Sequence, residues 1–450
     1  MKRILSFFLT LVLTAALLCP AALAVNETAA KDRDWVYITL DPGHGGDGAG
    51  GNDSGAVNEK YGYQEADLVL KIGLYLKEEL ETYRNVHVDM TRSDRYGTSA
   101  TAPLSKVENR VLYAAEQCSD LLVSLHLNSA GSNQSVHGGL ILASNGNYDP
   151  DCAKVIDAVG TNILAQLSRL GIDTSRGLIK EGSHDGTLYP NGKLADYYGI
   201  VRYGQLRHIP AMIVEHCFVS SNSDCEQFLS SDAKLRAIAQ ADARGIAAYY
   251  GLVKKDPGEV DVEPLFRDCR SHWAKDYVNR AADAGWVNGV GGGLFQPDGT
   301  LTRAMFVTML AGLAGVDEAD YPGSTFSDVS VGQWYAPSVA WAASEGIVSG
   351  TGDGRFEPNR NITRQEMAQI MAGYLAWKGV DTHPTADPSA YNIPDRADIA
   401  PWALDSVCFC YEKGLLSGGD HGFAPLDNAT RAQACVVLCG LNDFLRKTEG

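Results

Sequence analysis

The chain has 450 residues, 45% of them hydrophobic and 21% charged, and a formal net charge of −17. A surface this acidic repels polyanions, so nucleic acid is excluded as a partner. The length exceeds what one hydrophobic core usually organises, which predicts more than one domain.

At the N-terminus, Met1-Lys2-Arg3 is basic, Ile4 to Leu18 is apolar, and Ala22-Leu23-Ala24 carries small residues at cleavage-site spacing. That order predicts a secretory signal peptide over residues 1–24. The apolar stretch is shorter than the roughly 20 residues a spanning helix needs, and no later stretch reads as a span. A secreted protein without a membrane partner is expected. Of the ten cysteines, all but Cys19 follow the cleavage site, and no Cys-x-x-Cys pair occurs. Cys408, Cys410, Cys435 and Cys439 align with Ala340, Ala342, Ala368 and Ala372 of an internal repeat. Exchange with alanine predicts small buried residues in place of metal ligands.

Residues 35–251 alternate between two periodicities. Strand-like runs occur at Trp35–Leu40, Val86–Thr91, Leu121–Leu127, Gly139–Ala143 and Ala211–Val214. Helical patterns lie at about Glu65–Tyr83, Pro103–Gln117, Asp151–Leu170 and Asp232–Tyr250. This alternation predicts an α/β domain, an open mostly parallel sheet flanked by helices. Sites in such sheets gather beyond the carboxyl ends of the strands.

Three polar residues stand where those ends should be, and a fourth opens the helix that follows the first run. His44 follows the first run in Asp41-Pro42-Gly43-His44-Gly45-Gly46, and His126 closes another in Ser124-Leu125-His126-Leu127-Asn128. Glu65 opens a helix, and Glu215 ends the run Met212-Ile213-Val214-Glu215. Taken singly, these are a loop histidine, a hydrogen-bonded core histidine and a helix N-terminal acid. Taken together, His44, Glu65 and His126 form a zinc set with one tetrahedral position open for water. Glu215 stands where a general base is wanted. His87, His137, His184, His208, His216, His272, His383 and His421 have no comparable context and read as ordinary.

At these motifs the segment 35–251 resembles the zinc amidases that cleave N-acetylmuramoyl-L-alanine bonds in peptidoglycan, the amidase_3 type. Glu65-Ala66-Asp67-Leu68, Thr91-Arg92-Ser93-Asp94, Asn109-Arg110-Val111 and Ile209-Pro210-Ala211 extend the likeness. The resemblance implies one zinc ion held by His44, Glu65 and His126, with Glu215 catalytic and peptidoglycan as substrate. One departure is His216-Cys217-Phe218, where the family commonly has x-Gly-Phe. Arg92 and Arg110 read either as stem-peptide carboxylate binders or as partners of internal acids such as Asp94.

A charged, Pro- and Gly-bearing stretch at 252–263 reads as a linker. Three repeats follow, at 264–316, 324–379 and 390–443. Their shared landmarks are Phe266-Arg267-Asp268, Phe326-Ser327-Asp328 and Ile393-Pro394-Asp395, then Leu301-Thr302-Arg303, Ile362-Thr363-Arg364 and Ala429-Thr430-Arg431. Each unit predicts helix, glycine turn, short extended piece and a second helix capped by threonine. These motifs resemble the S-layer homology (SLH) module, which implies an all-α three-fold repeat domain attached to secondary cell-wall polysaccharide. The resemblance assigns polymer contact to Arg303, Arg364 and Arg431; bracing of each module is the equal alternative. Met305 and Gln433 stand where the signature has glutamate. The combined expectation is a peptidoglycan amidase tethered to the cell wall. The alternatives are a non-catalytic wall-binding protein and a zinc peptidase acting within the stem.

Overall fold

The computed structural model describes residues 35–46, 52–96, 106–261, 263–323, 326–419 and 422–448. The expected signal peptide, the start of the helix anticipated from Pro103, and His421 lie outside them. The chain divides into two compact units, Met1–Glu263 and Pro264–Gly450.

The first unit is built on a six-stranded sheet: β1 (Val36–Pro42), β2 (Val86–Met90), β3 (Leu121–Asn128), β4 (Leu140–Ala143), β5 (Leu178–Lys180) and β6 (Ala211–Phe218). Their order across the sheet is β2-β1-β3-β6-β4-β5. Every neighbouring pair is parallel except β6 with β4. The continuous apolar runs of β1, β3 and β6 are buried throughout most of their length, as expected for central parallel strands covered on both faces.

Helices α1 (Glu65–Leu80), α2 (Val107–Glu116), α3 (Pro150–Arg169), α4 (Gly199–Leu206) and α5 (Asp232–Tyr250) complete this unit. Along α1, Val69, Ile72, Gly73, Leu76 and Leu80 are buried, the i, i+3, i+4 stripe of an amphipathic helix. Asp149 caps α3 and Ser231 caps α5 through their side chains, satisfying N–H groups that have no partner within the helix. β5 and α4 carry no strong periodic signal in the sequence; three and eight residues are too few to display one.

The segment read as a linker is partly bound to the first unit. Arg84 N–H donates to the Val253 carbonyl at 2.9 Å and Lys255 N–H to the Thr82 carbonyl at 2.9 Å. The Arg84 guanidinium reaches Glu259 at 2.8 Å and Asp256 at 2.6 Å. Two of the acids that gave the stretch its polar look, Asp256 and Glu259, are therefore partners of one arginine, while Asp261 pairs with Lys255 and Glu263 with His87.

The second unit is a closed ring of helix pairs: α6 (Lys275–Asp283) with α7 (Arg303–Ala314), α8 (Ala336–Ser344) with α9 (Arg364–Trp377), and α10 (Leu404–Glu412) with α11 (Arg431–Thr448). Packing runs between successive repeats: α8 on α7, α10 on α9 and α6 on α11. At the centre, Ile362 N–H donates to the Leu301 carbonyl, Ala429 N–H to Ile362 and Leu301 N–H to Ala429, at 2.9, 2.9 and 3.0 Å. Each helix N-terminus that follows is capped by backbone of the next repeat, as Arg303 N–H to Arg360, Arg364 N–H to Asp427 and Arg431 N–H to Gly299. Asp268, Asp328 and Asp395 each take two successive N–H groups from the Phe-x-Pro piece of their own repeat. Thr302 accepts from Met305 N–H and Thr430 from Gln433 N–H, both at 3.2 Å. At Thr363, the Glu366 carboxylate takes the backbone N–H at 2.9 Å. Cys408, Cys410, Cys435 and Cys439 are buried free thiols. Among the described residues, no helix is long and apolar enough to cross a membrane.

Candidate metal centre

β1 ends two residues before His44, His126 lies near the end of β3, and Glu65 is the first residue of α1. Their donor atoms all lie within 4.8 Å of one another. Glu65 Oε1 is 3.1 Å from His44 Nε2 and 2.9 Å from His126 Nδ1. Backbone N–H groups of Ala56 and Leu127 donate to the two Glu65 oxygens at 2.9 and 3.0 Å. The other nitrogen of His44, Nδ1, lies 2.9 Å from Asp53 Oδ2, the carboxylate contact that fixes a ligand histidine's tautomer and ring plane.

Electrostatics inside this cluster are strong. Burial alone would lower the His44 pKa, but the hydrogen bond and charge of Glu65, joined by Asp53, raise it to about 9. Burial works against the Glu65 carboxylate too; the hydrogen bonds of His126 and His44 overcome it and hold the group far below its ordinary value.

Glu215 is the direct cross-strand partner of His126. Its Oε2 is buried and has no hydrogen-bond partner in the protein, an arrangement that native structures retain mainly for function. Burial raises its carboxyl pKa against the pull of the neighbouring imidazoles. An orphaned carboxylate oxygen beside two imidazoles and a carboxylate is the donor chemistry that fits a tetrahedral divalent ion with an adjacent proton acceptor.

The backbone permits this convergence only where side chains are missing. A Cβ on Gly43 would overlap the His126 ring, and one on Gly55, at φ +63°, would lie 2.6 Å from Glu65 Oε2 and 2.7 Å from His44 Cδ2. Gly43→Ala is expected to lower divalent-ion affinity at least about 10-fold, the scale seen when ligand orientation is disturbed. Chelator competition on the folded variant measures it, and parent-level affinity would contradict the close approach.

Arg92 and Arg110 face inward. Arg110 pairs with buried Asp41 at 2.6 Å and donates to the His44 carbonyl at 2.9 Å. Arg92 donates to the carbonyls of Pro42, Gly43, Ala66 and Asp94. Asp41 also accepts from Thr91 and Ser124. The two guanidinia thus hold the loop that carries His44, which itself sits at φ +61°, a backbone region residues with side chains seldom adopt.

In the second unit, Arg303, Arg364 and Arg431 each reach across to the next repeat. Their Nε groups donate to the carbonyls of Phe356, Phe423 and Phe295 at 2.9, 2.8 and 2.8 Å. Each guanidinium also lies over that same phenylalanine ring. Arg303 Nη1 pairs with Glu366, while Arg364 and Arg431 spend Nη2 on the Ser417 and Asn288 carbonyls. Each guanidinium thus braces the neighbouring module, whereas the bracing expected from the sequence is within its own.

His216 is the residue whose context the sequence concealed. It is wholly buried, between the His126 carbonyl and Asp242. Cys217 is buried in β6, and burial pushes its thiol well above the ordinary range, which removes it as a nucleophile.

Three donors that could hold a metal ion at the carboxyl edge of an α/β sheet, followed by a closed ring of three helical repeats, define the class of protein. Residues 38–248 match the Amidase_3 family, described as N-acetylmuramoyl-L-alanine amidase, and residues 265–305, 325–368 and 392–435 match the S-layer homology domain. Residues 38–248 thus form an Amidase_3 domain, and three SLH repeats follow it. Among curated proteins it is 33% identical over 182 residues to an amylopullulanase of Thermoanaerobacterium thermosulfurigenes, covering 40% of this chain and 10% of the relative. It is 32% identical over 167 residues to the S-layer protein sap of Bacillus anthracis, covering 37% of this chain and 20% of the relative. The chain thus spans a fifth or less of these relatives' length. Similar solved structures include an N-acetylmuramoyl-L-alanine amidase from Clostridium difficile 630, at 22% identity and TM-score 0.36, covering 48% of this chain and 97% of that one. Another is the amidase AmiC2 of Nostoc punctiforme, at 25% identity and TM-score 0.34, covering 48% and 96%.

Proposed function

We propose that the protein is a wall-associated peptidoglycan hydrolase that cleaves the amide between N-acetylmuramic acid and L-alanine. His44, Glu65 and His126 would hold one zinc ion, and Glu215 is the catalytic carboxylate. The observation that carries the reading is the convergence of those three donors beside the unpartnered Glu215 oxygen. The family match of residues 38–248 supports the bond cleaved. When bound, zinc supplies a Lewis acid that polarises the amide carbonyl and acidifies water. Glu215 accepts the proton of the attacking water through Oε2 and returns it to the departing alanine nitrogen. Its raised carboxyl pKa narrows the gap to the operating pH and so suits both transfers. Asp53 keeps the His44 ring oriented, and Arg92 and Arg110 hold the loop that delivers it.

The SLH repeats tether the enzyme to the wall through a secondary cell-wall polysaccharide, raising the local substrate concentration. Arg303, Arg364 and Arg431 contribute by holding adjacent repeats at the spacing the polymer meets. Residues 1–24 direct secretion.

Mass spectrometry of digested peptidoglycan tests the reaction. Intact stem peptides with free N-terminal L-alanine are expected, and none after chelation. Shortened stems would make the protein a peptidase, and an unchanged digest a binding protein.

Zinc uptake carries a pH signature. His44 is protonated in the metal-free protein below about pH 9, whereas a ligand imidazole must be neutral. Binding at neutral pH is therefore expected to expel a proton from His44, and apparent affinity to rise from pH 7 to 9. Calorimetry in two buffers of different ionisation enthalpy measures that release. A pH-independent affinity over this range would contradict the raised His44 pKa.

A further inference from the structure

Beneath the proposed metal site lies a buried histidine–aspartate pair that the proposed mechanism does not use. His216 Nδ1 is 3.1 Å from the His126 carbonyl oxygen, and His216 Nε2 is 2.7 Å from Asp242 Oδ2 on α5. Both His216 and Asp242 are 0% exposed. A carbonyl only accepts, so Nδ1 carries a hydrogen. The other ring nitrogen, Nε2, shares a hydrogen bond with the Asp242 carboxyl group. Removing two such groups from water is costly unless the geometry between them is maintained.

The location gives the pair something to hold. β6 is in register with β3 up to Glu215 opposite His126, and the register shifts before Phe218 opposite Asn128. His216 and Cys217 together face the single residue Leu127, the arrangement of a β-bulge, which re-aims neighbouring side chains. At that irregularity the imidazole ties the main chain of one proposed ligand, His126, to a helix packed behind the sheet. The residue beside it in the chain is Glu215.

We infer that His216 and Asp242 are positioning residues: they pin the bulge so that His126 and Glu215 keep the separation needed for metal binding and proton transfer. The inference rests on the zinc reading above, and the experiment separates the two.

His216→Leu, His216→Gln and Asp242→Asn are compared with the full-length parent. Four quantities are read: zinc affinity by chelator competition, kcat and KM on wall fragments, and the unfolding midpoint of the metal-free protein. His216→Leu is expected to bind zinc about 10-fold more weakly. Its kcat should fall by a similar factor with KM near the parent value, because substrate contacts are untouched. His216→Gln can still donate to the His126 carbonyl and should recover part of both losses. Should His216→Leu fail to fold, the isosteric Asp242→Asn carries the comparison. Nitrogen-15 NMR of the metal-free parent is also expected to show a hydrogen on His216 Nδ1 protected from exchange.

Variants with parent zinc affinity and kcat, lowered only in unfolding midpoint, would reduce the pair to a structural element and overturn the positioning role. Absence of the protected Nδ1 hydrogen would do the same. A parent that takes up no zinc sinks the metal reading and this inference with it, whereas a zinc-binding parent with indifferent variants sinks only the inference.

Discussion

Glu215→Gln is expected to lower the rate of muramoyl-alanine cleavage by about 10²–10⁴-fold, the range that a positioned general base supplies, while zinc content stays at the parent level. The substitution keeps the shape of the side chain and removes its ability to take a proton. Glu215 has a buried oxygen without a protein partner, so little protein hydrogen bonding is lost. The metal-free variant should therefore unfold no earlier than the parent. Product release by mass spectrometry and metal content by elemental analysis decide the matter together. Retention of a tenth or more of parent activity with full zinc would remove Glu215 from the mechanism. Equal loss of zinc and activity would make it a structural support of the metal site.

Ending the chain at residue 389 is expected to unfold the rest of the second unit as well as removing the third repeat. In an open solenoid each repeat touches only its neighbours, and loss of the last leaves the others standing. Here the third repeat closes a ring. It supplies the Ala429 link between Ile362 and Leu301, the Asp427 carbonyl that caps α9, and the Phe423 carbonyl that holds Arg364. It also supplies Arg431, which braces Phe295 of the first repeat, and Asp443, which pairs with Arg280. The truncated chain should lose the helical signal of α6 to α9, while the catalytic unit keeps its own unfolding transition. Circular dichroism in urea reads both. A cooperative transition retained by the first two repeats would show that ring closure adds little.

Much of the catalytic unit was legible because its signals are local. Central strands declare themselves as apolar runs, and α1, α3 and α5 as periodic stripes with capping residues. The candidate donors and Glu215 stood out in sequence because open α/β sheets gather functional groups at strand carboxyl ends, where His44, His126 and Glu215 fall, and because Glu65 opens the helix after the first strand. The repeats were legible by self-similarity, and two of the threonine caps lie where N-cap chemistry puts them. By contrast β5, α4 and the antiparallel placement of β4 depend on packing between distant segments. His216 read as ordinary because Asp242, the group that gives it meaning, is 26 residues away on α5. No local pattern links the two.

Sequence alone determined the class of fold, the chemistry available at the sheet edge and the three-fold repetition, since each follows from residue types at short, regular spacings. Only the tertiary structure decided which atoms converge, that Arg92 and Arg110 serve the loop bearing His44, and that Arg303, Arg364 and Arg431 bridge successive modules. Those outcomes depend on which buried carbonyls and carboxylates lack a partner once the chain has closed. Hydrogen-bond satisfaction in a desolvated interior is a property of the assembled molecule, and no stretch of chain carries it by itself.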